Sequence, residues 1–156
     1  MLIETRFGTS ETNDNKIISF PSGLPGFEEL HQFIIIEVSN TKPIYWLQST
    51  ENEHIALPVI ISFAILSDYN INIRENELED LHVENKNDLL VLNVVVIPED
   101  IRNMTVNLAA PVVINAKRGI GKQIIIDAAE LPLRYPIYEA IKESAKGGSK
   151  DAGAHA

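Results

Sequence analysis

Few groupings of residues in this chain have the materials for covalent or metal chemistry, and each of them fails on spacing. Lys117-Arg118-Gly119-Ile120-Gly121-Lys122 brings cations and glycines together, as a phosphate cradle does when backbone N–H groups and a lysine hold an anion. It lacks the four-residue gap that separates the first glycine of such a loop from its Gly-Lys pair, and no helix is predicted after it. It is therefore read as a turn between strands, and as a basic spot able to meet an acidic group on a partner. His31, His54, His82 and His155 pair neither with one another nor with a carboxylate at a spacing that builds a metal site. Cysteine is absent, which removes disulfides, thiolate zinc and cysteine nucleophiles together. The adjacent acids Glu28-Glu29, Glu79-Asp80 and Glu99-Asp100 diverge on a strand or a helix, whereas paired-carboxylate catalysis needs two groups converging from separate elements. There is no Gly-x-Ser-x-Gly elbow. The expectation is a protein with no catalytic residue, no metal and no cofactor.

What is left is the chemistry of contact. Phe20-Pro21-Ser22-Gly23-Leu24-Pro25-Gly26-Phe27-Glu28 sets large apolar side chains in a segment built to turn, because proline fixes φ and glycine opens conformations closed to other residues. Such a loop either plugs its own core or presents a binding surface, and Leu24, Phe27 and Glu28 are its candidate contacts. Gln48 and Asn107 lie in strongly apolar strands. An inward amide must find hydrogen-bond partners or cost about 1–3 kcal/mol, so each ties down a loop, faces solvent or lines a recognition groove. Trp46, Tyr45 and Phe27 are large enough to be core, and are also of the types that dominate interfaces.

The formal net charge is −9, and acids are densest between Arg74 and Asp88. Such a surface repels phosphate, so direct nucleic-acid binding is not expected, while a basic protein partner would be drawn in. Glu77, Glu79 and Asp80 are its candidate contacts. The N-terminus turns charged before an apolar run develops, and the longest apolar stretch, Ile55 to Leu66, is broken by Pro58. Neither an export signal nor a membrane span is expected, which predicts a cytoplasmic protein.

The elements that must position these groups are mostly strands. Isoleucine and valine make up about a fifth of the 156 residues, and β-branched side chains favour a pleated surface. Strands are predicted at Leu2–Phe7, Lys16–Phe20, Phe33–Val38, Ile44–Ser49, Ala56–Phe63, Tyr69–Arg74, Leu89–Ile97, Thr105–Leu108, Pro111–Asn115 and Gln123–Asp127. Ile34-Ile35-Ile36 and Val94-Val95-Val96-Ile97 are apolar throughout and should be covered on both faces. Turns are expected at Gly8–Asn15, Pro21–Gly26, Asn40–Pro43, Glu51–Glu53, Asn85–Asn87, Pro98–Asn103 and Arg118–Gly121. Short helices are expected at Glu75–Leu81 and Pro136–Lys146, with a helical turn at Pro98–Arg102. The fold class is all-β: a small, antiparallel, barrel-like and partly open fold, as a single domain over residues 1–146 with a disordered tail at 147–156.

Gly23-Leu24-Pro25-Gly26-Phe27-Glu28, Leu47-Gln48-Ser49, Ile97-Pro98-Glu99-Asp100, Thr105-Val106-Asn107-Leu108-Ala109-Ala110-Pro111-Val112-Val113-Ile114-Asn115 and Gly121-Lys122-Gln123, in this order, resemble the flagellar assembly factor FliW family. The resemblance spans Ile17 to about Asp127. It implies a non-enzymatic barrel that binds the carbon storage regulator CsrA, a translational repressor, and so frees the flagellin message. Flagellin competes for the factor and releases the regulator, a linked equilibrium. Two other readings stay open: a chaperone-like protein whose main work is protecting flagellin, and a small-molecule-binding barrel.

Overall fold

The computed structural model describes residues 1–126 and 131–144. An N-terminal hairpin pairs β1 (Leu2–Thr5) with β2 (Gly8–Glu11) and stands apart from the main sheet. The main sheet holds β3 (Ile18–Ser19), β4 (Gln32–Glu37), β5 (Tyr45–Ser49), β6 (Ala56–Ile60), β7 (Leu89–Val96), β8 (Thr105–Val106), β9 (Val112–Asn115), β10 (Ile120–Gln123) and β11 (Tyr135–Pro136). Helices are short: α1 (Ser62–Ile65), α2 (Glu75–Asp80) and α3, residues 138–144.

The strand ladder runs β7-β6-β5-β4-β3-β10-β9, and β9 then pairs back onto β7, so seven strands close into a barrel. Closure corrects the expected partly open form. It also introduces one parallel pairing, Ile120 beside Ser19, in an otherwise antiparallel ring. β7 can serve both ends of the ladder because one of its edges is shared lengthwise. Leu89 to Leu92 pair with β9, and Val95 and Val96 pair with β8, which carries β11 outward as a short extension.

Register assigns the faces. Phe33, Leu47, Val59, Leu92, Val112 and Ile114 share the inner face and form one core with Ile18, Phe20 and Leu24. The alternate residues Trp46, Ile60 and Val95 point outward and meet Tyr69, Met104, Leu108 and Ile137 in a second core. A third joins Leu81 to Val91, Val113 and Ile124. Strands with a core on each side explain the unbroken apolar runs. The expectation holds for Ile34, which is buried, and fails at the end of β7, where Val96 is 60% exposed.

Other boundaries move for identifiable reasons. The segment Gly8–Asn15, read as a turn, contains β2, because Gly8 at φ 102 reverses the chain at once and its polar successors pair with β1. Ala56–Phe63 ends at Ile60 and becomes α1. Tyr69–Arg74, despite its alternation, lies outside the sheet, with Tyr69 anchored in the second core instead. β10 begins inside the expected turn Arg118–Gly121, and of the predicted strand Gln123–Asp127 the last residue lies outside the described ones. Pro136 belongs to β11, and α3 begins after it. Residues 145–156, which include the end of the expected helix and the expected tail, also lie outside the described residues.

The tightest packing sits at Gly121. A Cβ there would lie 2.6 Å from the ring of Phe20, which is fully buried and edge-on to Phe33 at 5.3 Å. Gly121→Ala is therefore expected to overpack the interior and cost about 1–3 kcal/mol. Urea denaturation checks this, and an unchanged midpoint would show that the ring has room to move.

Candidate functional site: the capped mouth of the barrel

One mouth of the barrel is closed by the loop that follows β3. Leu24-Pro25-Gly26-Phe27 forms a tight turn in which the Phe27 N–H donates to the Leu24 carbonyl at 2.7 Å. Proline at the second position and Gly26 at φ 86 in the third match a type II turn. Gly23, at φ 65, is equally constrained, since a Cβ would meet the backbone of Glu28 at 2.6 Å. The loop is anchored by the Phe20 N–H donating to the His31 carbonyl at 2.8 Å and by the His31 Nδ1 contact with the Phe20 carbonyl at 3.1 Å. The Gly-Leu-Pro-Gly-Phe-Glu motif is thus first an architectural device.

It nevertheless shapes a surface. Leu24, Phe27, Leu57, Val94, Val96 and Leu133 wall a groove of about 380 Å³, with Asn107, Gln123 and Arg134 among its polar groups. Val96 and Leu133, 60% and 65% exposed, form an apolar rim that the described residues leave uncovered. The groove gathers three residues singled out in the sequence, Leu24, Phe27 and Asn107. Leu24 is 2% exposed and acts as the plug, so the accessible part of the loop is Pro25 and the half-buried Phe27. Glu28 is exposed and caps its own turn, Oε2 accepting from the Gly26 N–H at 3.0 Å. Asn107 Oδ1 accepts from the N–H groups of Ala109 and Ala110 at 3.0 and 3.1 Å, which shapes the bend after β8.

Gln48 lies elsewhere. It is fully buried on the outer face, with Oε1 accepting from the Arg6 N–H at 3.0 Å and Nε2 donating to the carbonyls of Ser49 and Glu53 at 2.9 and 3.2 Å. It ties the N-terminal hairpin and the β5–β6 turn to the barrel and is not among the residues that line the groove at the mouth. Trp46 is core; the Arg6 guanidinium sits over its ring at 5.6 Å, and the Phe7 ring lies 4.9 Å away, inclined at 60°.

The acidic segment is partly neutralised from within. The turn Lys117–Gly119 and β10 carry the basic residues onto α2 and the loop after it. Lys122 Nζ lies 2.6 Å from Glu77 and 3.0 Å from Asp80, and Arg118 reaches Glu84 at 2.8 Å. The basic spot expected to meet a partner's acid therefore meets the chain's own. Glu77 is buried, so of the three predicted acidic contacts Glu79 and Asp80 remain at the surface, and Asp80 is shared with Lys122. The Glu77 carboxylate, followed by Asp80, holds the Lys122 ammonium above its ordinary value of 10.5, against the opposing effect of burial. Hydrogen bonding from Arg118, assisted by Lys117, lowers the Glu84 carboxyl. Among the described residues no group of three or more His, Cys, Asp or Glu is placed to hold a metal ion, and no helix is long and apolar enough to cross a membrane.

Sequence reasoning missed Leu57, Val94, Val96, Leu133 and Arg134. Val96 carried a signal, as the end of an apolar run beyond the strands that could cover it. Leu133 and Arg134 carried none, because β11 brings them to the mouth only by pairing with β8.

Fold and site together define a small closed β-barrel whose own loop caps one end beside an apolar groove. The model of the FliW protein family matches residues 1–137, and on that match the chain belongs to the flagellar assembly factor FliW family. Its relatives include the flagellar assembly factor FliW of Caldanaerobacter subterraneus, 43% identical over 139 residues (88% of this chain and 93% of that one). That of Thermoanaerobacter pseudethanolicus is 42% identical over 146 residues (92% and 97%). That of Clostridium kluyveri is 37% identical over 140 residues (89% and 97%). A crystal structure of the flagellar assembly factor FliW superposes with a TM-score of 0.82 at 27% identity, covering 88% of this chain and 97% of that one.

Two substitutions separate architecture from surface. Gln48→Ala strands the Arg6 N–H and two carbonyls and is expected to cost about 1–3 kcal/mol by chemical denaturation. Lys122→Met leaves Glu77 buried with, among the described residues, the more distant Arg74 as its one remaining cation, 3.6 Å away, and is expected to cost a similar amount near neutral pH. Because the folded-state pKa of Lys122 is raised, its stabilising effect is fully present below the ordinary lysine value and is lost as pH rises through the raised one. The gap between wild type and Lys122→Met should therefore persist from neutral pH up to the ordinary lysine value and close above it, measured by denaturation across that range.

Proposed function

We propose that this chain is a cytoplasmic flagellar assembly factor that works by occupying other proteins and catalyses no reaction. Its partners in this reading are the carbon storage regulator CsrA and flagellin, with no direct contact to nucleic acid or membrane. The observation that carries it is the groove at the capped mouth, where a rigid turn holds Phe27 beside the uncovered Val96 and Leu133. Uncovered apolar rims on small domains mark contact sites, and aromatic side chains on rigid supports are what such contacts use. Its relatives are flagellar assembly factors, which supports the same reading.

The regulator must be basic where it holds RNA, and α2 offers exposed Glu75 and Glu79 with no ion pair among the described residues. Docked there, the factor would bring negative charge within a Debye length, about 8 Å, of bound phosphate and weaken the RNA complex without covering it. Flagellin binding would withdraw the factor and return the regulator to its message.

Isothermal titration with the regulator and flagellin of the same organism tests this. Saturation with one partner should abolish binding of the other. Independent binding would favour a protective role toward flagellin, and binding of neither would refute the proposal. Glu75→Lys with Glu79→Lys should lower regulator affinity about ten-fold and flatten its salt dependence, with native circular dichroism.

A further inference from the structure

Arg134 stands out at the groove. Of the 13 bases, Lys42, Arg74, Arg102, Arg118 and Lys122 are engaged by carboxylates of their own chain; Arg6, Lys16, Lys86, Lys117 and Lys142, like Arg134, have no ion pair among the described residues, and of all these Arg134 is the one that lines the groove. Arg134 is exposed, lines the apolar mouth, and forms no ion pair with any described residue. A guanidinium beside apolar walls is weakly hydrated and presents a rigid fork that matches a carboxylate. Filling the groove would strip water from it and raise the worth of such a pair above that of an ordinary surface contact. The groove, about 380 Å³, suits a few side chains of an inserted segment rather than the face of a domain.

We propose that the groove accepts an apolar protein segment bearing a carboxylate, the apolar side chains seating against Phe27, Leu57, Val96 and Leu133 while the carboxylate pairs with Arg134. Resting on the protein-binding reading above, this assigns the two partners to different surfaces. A basic RNA-binding repressor is disfavoured beside Arg134 and favoured at Glu75 and Glu79, so the segment in the groove belongs to flagellin. The surfaces are joined through consecutive residues of β10. Gly121 seats Phe20 at the root of the capping loop, Lys122 holds Glu77 and Asp80 at α2, and Gln123 faces the groove. Exclusion between the partners then passes through β10 and needs no shared footprint.

Titration of the whole chain with unassembled flagellin, and separately with the regulator, tests the assignment. Arg134→Glu should weaken flagellin binding about ten-fold or more, and Arg134→Lys should weaken it less, while regulator affinity stays within about two-fold of wild type. Val96→Asp, which adds a like charge to the incoming carboxylate on the apolar wall, should repeat the pattern. Native melting curves confirm that each variant folds. Undiminished flagellin binding by Arg134→Glu, or loss of the regulator instead, would overturn the assignment while leaving the protein-binding reading intact. A wild-type chain that binds neither partner would remove the reading beneath it.

Discussion

Phe20 fills the barrel interior because Gly121 leaves it room. The residue leaves β3, and the ring turns inward against Phe33 where the facing strand carries no side chain. Everything at that mouth takes its position from this contact. The turn of Leu24 to Phe27 can be rigid only because its root is fixed, and Leu24 seals the interior only because the turn returns it there. The wall of the groove is thus an outgrowth of core packing, and its precision comes from dense interior contacts rather than from the loop's own hydrogen bonds.

The same strand governs the charge distribution. Summed over the sequence the chain is strongly negative, but the field at any point depends on which acids β10 and the turn before it have already satisfied. Glu77, Asp80 and Glu84 are answered locally by Lys122 and Arg118, which leaves α2 with a smaller and more localised negative face than its composition implies. At the mouth, Arg134 is left without an ion pair among the described residues. Separation of these two faces is a product of the fold, since β11 reaches the mouth only by adding to β8.

Legibility in the sequence followed the range of the interaction. Runs such as Phe33 to Ile36 declared strands, and the proline and glycine pattern of the loop declared a turn, because both are settled by neighbours in the chain. Alternation misled at Tyr69–Arg74, where burial of Tyr69 in a separate core replaced strand pairing. Closure could not be read, since it depends on β7 offering a single edge to both β9 and β8. For the site, Leu24 and Phe27 were found through their turn chemistry, and Asn107 as an amide in an apolar strand. Gln48 was found but its duty was not, because the Arg6 N–H it binds is 42 positions away. Arg134 has no sequence signature, as its importance arises from what surrounds it in space.

The N-terminal hairpin meets the rest of the molecule at its tip, where the Arg6 N–H and the Phe7 ring reach Gln48 and Trp46, while Leu2 near its far end is 68% exposed. A two-stranded ribbon has little cohesion of its own, so its persistence is borrowed from that clasp. In hydrogen-exchange terms it is expected to open more readily than the ring. Its amides are expected to exchange on release of the clasp, at a lower free energy than the cross-strand amides of the ring.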